Sequence, residues 1–208
     1  MTIFEQIKEL LKWVILFYVL TVLNSSCCKD NEEGGTGDIS MITPFLTTSD
    51  IASINEAFSS SVEHPWGFEH NGIDFFIGDK FKPFQAVASG TIQEFRLWQN
   101  TDSSNWQVNV SIKYNSVYSV GYAFEPFSPV QSDGQIQLDN MSISKGQTIT
   151  QGTIIGNLYR AADGAHVHFG LYKNNEAICP EPYFIPAARD SILYLIHKDH
   201  PDWNICYQ

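Results

Sequence analysis

The chain has 208 residues, and its 12 Lys+Arg against 23 Asp+Glu leave a formal net charge of −11. That balance argues against a nucleic-acid partner, because Lys and Arg neutralising phosphates supply most of such binding. With 43% hydrophobic and only 17% charged residues, the chain is able to build a core and is far from the composition of a disordered segment.

The chain opens with Lys8 and Lys12 ahead of an apolar run from Trp13 to Leu23 (WVILFYVLTVL). The run is shorter than the ~20 residues of a spanning helix and suits the apolar core of a secretory signal. It leads into Asn24-Ser25-Ser26-Cys27-Cys28, which resembles the end of a bacterial lipoprotein signal. The resemblance implies cleavage after residue 26 and lipidation of Cys27, with Cys28 as the alternative because Asn24 departs from the usual residue. The acidic, Gly-rich stretch Lys29 to Gly37 that follows resembles a surface-export signal of such lipoproteins. The expected organisation is a signal over 1–26, a lipid-anchored polar tether over 27–43 and one β domain over 44–208. The expected location is outside the cytoplasm, membrane-anchored, in the periplasm or at the cell surface.

Thr48-Ser49-Asp50 ahead of Ile51–Phe58 reads as an N-capped short helix, with apolar residues at 51, 54, 57 and 58. From about 72 to 172 the pattern changes to strand-sized runs punctuated by turns. The segment Trp106–Tyr114 alternates, with apolar residues at even positions and polar ones at odd, as a half-buried antiparallel strand does. Gly146, Gly152 and Gly156 mark tight turns in a second unit, and a final helix is expected over about 187–197. The predicted fold is mainly β: an antiparallel core with short hairpins, between a short N-terminal and a C-terminal helix. Cys179 and Cys206 are left as either a disulfide, which export favours, or two buried thiols.

Two histidine motifs carry the chemistry. In His70-Asn71-Gly72-Ile73-Asp74, the glycine disfavours a helix, so His70 ends a turn and Asp74 lies in a strand. There it projects from the face opposite Ile73 and Phe75. A carboxylate among these apolar neighbours is costly without a donor, a cation or a metal. In His166-Val167-His168, positions i and i+2 of a strand put both imidazoles on one face. Two imidazoles and one carboxylate make a zinc-type ligand set that leaves a fourth position open for water.

These motifs, in this order, resemble the lysostaphin-type (LytM) zinc endopeptidases of peptidoglycan, over about His64 to Tyr172. His70-Asn-Gly-Ile-Asp74 matches the family's His-x-Gly-(Ile/Val)-Asp. Lys82–Ile92 matches its Pro-V-x-A-x-x-x-G-x-V strand and turn, Lys145–Gly156 its doubled glycine unit, and His166-Val-His-Phe169 its His-x-His strand. The resemblance implies a lysostaphin-like fold with a duplicated hybrid motif. It also implies one Zn²⁺ held by His70, Asp74 and His168, His166 as the catalytic histidine, and peptidoglycan peptides as substrate. The family carries a further histidine in a Tyr-x-His-Leu strand. Aligned on Tyr122-Ala123-Phe124-Glu125, that place falls to Phe124, which transfers no proton. The nearest groups to stand in for it are Tyr122, Tyr118, His64 and His200. The Phe leaves a second reading open: a catalytically silent module that binds peptidoglycan or activates a partner hydrolase.

Overall fold

The computed structural model describes residues 37–161 and 164–207. The signal segment, Cys27 and Cys28 lie outside the described residues. The alternation that begins at Trp106 becomes a strand whose Val108, Val110 and Ile112 are buried, while Asn109 and Ser111 face the other way. In chain order the strands are β1 (Ser53–Ile54), β2 (Phe58–Ser59), β3 (Ile73–Phe76), β4 (Phe81–Gln85), β5 (Gly90–Gln99) and β6 (Trp106–Lys113). They continue as β7 (Tyr118–Glu125), β8 (Thr148–Ile149), β9 (Ile154–Tyr159), β10 (His166–Lys173), β11 (Glu176–Ile178) and β12 (Cys206–Tyr207).

The main sheet runs β1-β3-β10-β7-β6-β5-β8, with β11 pairing the far end of β10. Among the described residues its strand pairings are all antiparallel, as hairpin connections allow. One face is apolar across four strands, through Phe75, Val167, Phe124 and Val108, all 0% exposed. The second sheet, β4 with β9, contributes to the same core: Phe84 of β4 meets Phe124 of β7 with ring centroids 5.8 Å apart. Ile39 and Met41 also enter this core, and Met41 bridges to Phe184. Packed structure therefore begins ahead of residue 44, inside the stretch expected to be tether.

The helix expected over 51–58 is not formed. A single 3-10 turn, Thr48–Asp50, is followed directly by β1. The backbone of this segment is drawn into the sheet instead: Ala52 N–H donates to Phe76 O at 2.8 Å, and Glu56 O accepts from Asp74 N–H at 3.0 Å. Tertiary pairing overrides the local cap signal here. A helix the pattern did not show is α1, Gln131–Asp139. Its Gly134 lies where a Cβ would stand 2.6 Å from Trp106 Cβ, so the glycine permits the helix to sit tightly on the sheet. The C-terminal helix is α2, Pro186–Asp199, with Ile192, Leu195 and Ile196 buried, as the apolar pattern indicated.

Cys179 and Cys206 form a disulfide across a sequence separation of 27 residues. Closing a loop of that size in the unfolded chain stabilises the fold by about 3–4 kcal/mol. The double Cys179→Ser, Cys206→Ser variant should lose that amount, read as a lower urea midpoint, with a steeper slope because the unfolded chain is no longer cross-linked. An unchanged midpoint would show that the bridge contributes nothing to stability.

Candidate metal centre

The site lies on the face of the main sheet opposite the core. Strand β10 pairs with β3 so that His168 is opposite Asp74 and His166 opposite Phe76. Alternation places Val167 and Phe169 in the core and both imidazoles on the other side. His70 arrives from the turn before β3. The three residues the resemblance named as ligands are thus brought together: His168 Nδ1 lies 2.8 Å from Asp74 Oδ1, His70 Nε2 3.2 Å from His168 Nδ1, and His70 Nε2 3.4 Å from Asp74 Oδ1.

Local structure aims each of them. His70 Nδ1 faces the carbonyl of Ala57 at 2.9 Å and donates to it, which leaves Nε2 turned toward Asp74 and His168. Its backbone is held as well: Ser59 N–H donates to His70 O at 2.8 Å, and His70 N–H donates to Ser59 O at 3.0 Å. Gly72 is required by close approach, since a Cβ there would stand 2.7 Å from His168 Nε2 and 2.4 Å from Phe169 O. This gives a steric reason for the glycine in His-x-Gly-Ile-Asp.

Asp74 is 6% exposed. Burial alone pushes its carboxyl up, but the charge of His166 and hydrogen bonds from His168 and His70 outweigh that and hold it well below the usual carboxylate range. Burial likewise depresses His70, and the hydrogen bond and charge of Asp74 reverse the effect and raise it. His166 behaves in the same way, with Asp74 and Glu125 overcoming its burial. Its ring is boxed edge-on by Phe76 and Phe127, at centroid distances of 5.0 and 4.8 Å. Phe127 takes a φ of 50°, a left-handed conformation uncommon for an aromatic residue and a sign that the surroundings hold it there.

The expectation about Phe124 is corrected by the strand register. Strand β10 pairs β7 with His166 opposite Glu125, Val167 opposite Phe124 and His168 opposite Ala123. Phe124 therefore points into the core at 0% exposure, against Phe84 and Tyr122. The residue beside His166 is Glu125, whose Oε1 lies 3.5 Å from His166 Nε2. None of the suggested substitutes takes up that position. The Tyr122 hydroxyl is in the core, accepting from Val87 N–H and donating to Gln85 O. The Tyr118 hydroxyl donates to Asp38, His64 packs on Trp66, and His200 stacks on Trp203.

From the histidines a groove of about 560 Å³ crosses the sheet, lined by Asn71, Asn109, Gly121, Glu125, His168 and Tyr172 among others. Its floor beside His168 is small, with Ala123 and Gly121, and admits a chain close to the sheet. Glu56 is a further residue that the motifs did not show. Burial and the nearby Asp74 push its carboxyl up, and its Oε2 has no hydrogen-bond partner among the described residues. The register makes a prediction: Phe124→His should place an unpaired imidazole in the core and destabilise the protein by about 3 kcal/mol or more, without raising any hydrolytic rate. A stable variant with higher turnover would mean that position 124 faces the groove.

No protein-family model matches the chain, and no curated protein matches its sequence. Solved structures do match. The SpoIIIAH–SpoIIQ complex gives a TM-score of 0.51 at 19% identity, covering 69% of this chain and 99% of that one. Helicobacter pylori Csd3 gives 0.50 at 22%, covering 76% of this chain and 40% of that one. A zinc-containing peptidase from Vibrio cholerae gives 0.47 at 21%, covering 67% and 39%. The chain spans about two-fifths of the length of the latter two. At these identities the likeness is one of fold alone, a mainly β, antiparallel fold such as the sequence pattern predicted.

Proposed function

We propose that the protein is a zinc-dependent endopeptidase that hydrolyses peptide cross-links of peptidoglycan. The observation that carries this reading is the triangle of His70 Nε2, Asp74 Oδ1 and His168 Nδ1, with edges of 2.8, 3.2 and 3.4 Å. A tetrahedron with zinc-ligand bonds of about 2.0–2.1 Å has edges of about 3.3 Å, and a two-histidine, one-carboxylate set is a zinc donor set that leaves a position for water. With its Nδ1 on the Ala57 carbonyl, His70 has Nε2 free to serve as the ligand atom. Bound there, zinc would lower the pKa of its water to roughly 7 and polarise a carbonyl oxygen.

The protein's own groups supply the rest. His166, boxed by Phe76 and Phe127, directs Nε2 toward Asp74 and Glu125, where it can donate to the oxygen of a substrate carbonyl. The groove holds the peptide with amide and tyrosine side chains such as Asn71, Asn109 and Tyr172. With a net charge of −11, adhesion to anionic wall polymers through a basic surface is not available, so recognition rests on the groove. Export and a lipid anchor at Cys27 belong to the same reading and place the enzyme outside the cytoplasm, where peptidoglycan lies.

A second reading, a silent module that recruits or activates a partner, is favoured by the fold shared with SpoIIQ in its complex with SpoIIIAH. One experiment separates the two. The mature domain should purify with about one zinc per chain and release peptides from purified peptidoglycan, detected by mass spectrometry. Asp74→Ala and His168→Ala should each lose both the metal and the release. Zinc without release would transfer the case to the silent module, and zinc retained by both variants would remove the ligand assignment. For the anchor, Cys27→Ala should move the protein from the membrane to the soluble fraction, and membrane association unchanged in that variant counts against lipidation there.

A further inference from the structure

We propose that Glu125 is the second proton-transfer group of this site, a carboxylate placed beside His166 by the pairing of β7 with β10. The inference rests on the peptidase reading above. It begins with position: neighbouring strands lie about 4.8 Å apart, and Glu125 is directly opposite His166, with Oε1 3.5 Å from Nε2. Its side chain is 15% exposed, and the residue lines the same groove as His168. It is thus withdrawn from bulk water yet open toward the place a substrate occupies.

Within β6 and β7, the strands that floor the groove next to β10, the other residues on this face leave the role to Glu125. On β7 the groove-facing neighbours are Ser119, Gly121 and Ala123, and on β6 they are Gln107, Asn109 and Ser111. None of them carries an ionisable side chain. Glu94 also lines the groove, but it stands on β5, three strands from β10 and so about 14 Å away, where it is ion-paired with Arg96. Asp74 is engaged by His70 and His168. The arrangement also gives His166 a defined proton. Its Nδ1 is buried with no hydrogen-bond partner among the described residues. Hydrogen on Nε2 lets the ring donate toward Glu125.

In the hydrolytic step the oxygen of the attacking water bonds to the carbonyl carbon while one of its protons passes to the Glu125 carboxylate. His166 Nε2–H donates to the carbonyl oxygen as negative charge develops there. The proton on Glu125 then passes to the amide nitrogen as the carbon–nitrogen bond breaks, giving a carboxylic acid and an amine. A carboxylate and a histidine thus divide the work that two histidines share in the enzymes this sequence resembles.

The test uses the zinc-loaded mature protein and purified soluble cross-linked muropeptides. Glu125→Gln keeps size and hydrogen bonding but removes the proton acceptor. It should lower kcat by about 10²–10⁴-fold at nearly unchanged KM, with zinc content and melting temperature as in the parent. Glu125→His should restore a substantial part of the loss, which a merely structural role would not allow. Independently of turnover, ¹⁵N spectra of the metal-free protein should show the His166 ring resonances moving in Glu125→Gln while those of His197 and His200 stay in place. An active parent whose kcat is unchanged by Glu125→Gln overturns the role of Glu125 and leaves the peptidase reading standing. A parent that binds zinc but releases nothing overturns both.

Discussion

A carboxylate buried in a β-strand is the constraint on which the site depends. Asp74 lies between Ile73 and Phe75, both fully buried, and an ion in such surroundings costs several kcal/mol unless it is paired and hydrogen-bonded. Here the pairing comes from imidazoles carried by two distant parts of the chain: His70 from the turn before β3, and His166 and His168 from β10. None of the three can be displaced without leaving the carboxylate exposed to its apolar neighbours. The β3–β10 register, the close approach permitted by Gly72 and the aromatic box around His166 all serve that one group. The same convergence of lone pairs that is costly without a cation makes the place a metal site.

The sheet keeps this polar centre separate from the core by alternation alone. Across β3, β10, β7 and β6, one set of alternate residues (Phe75, Val167, Phe124, Val108) builds the interior, and the other (Asp74, His168, Ala123, Asn109) builds the groove. Because the period is two, a shift of one residue exchanges the faces completely. That is why Phe124 and Glu125, adjacent in the chain, have opposite fates: one is a fully buried ring between the two sheets, the other a carboxylate at the histidines.

What could be read from the sequence follows the same division. The His-x-His and His-x-x-x-Asp motifs were legible because each depends on a short stretch of strand, where i and i+2 share a face whatever the partner. The alternation of Trp106–Tyr114 and the apolar side of the final helix were legible for the same reason. Glu125 was not, since its face is set by pairing with β10, some forty residues further along, and alignment on Tyr122 put the strand out of step by one. The segment after Asp50 was misread as helix because its cap is real, down to the hydrogen bond from Thr47 N–H to Asp50, while what decides its path is pairing with Phe76. Helix α1 was hidden by Gly134, which costs helix propensity but lets the helix approach Trp106 and Leu97.

The end of the chain completes the support of His70. Strand β12 pairs in parallel with β2, Cys206 with Phe58 and Tyr207 with Ser59, and Ser59 in turn bridges to His70. The disulfide fastens β12 to Cys179, just beyond β11, which pairs with the strand that carries His166 and His168. Trp66 closes over this junction, its Nε1–H donating to Ser59 Oγ and its ring set edge-on to Trp203 and Tyr207. A two-residue strand such as β2 has too few hydrogen bonds to hold a fixed place by itself. Yet β2 and the residue before it supply both the backbone partners of His70 and the Ala57 carbonyl that accepts from its Nδ1. Covalent closure of the strap therefore acts on the least supported of the three converging side chains, while His168 and Asp74 are already held by the interior of the main sheet.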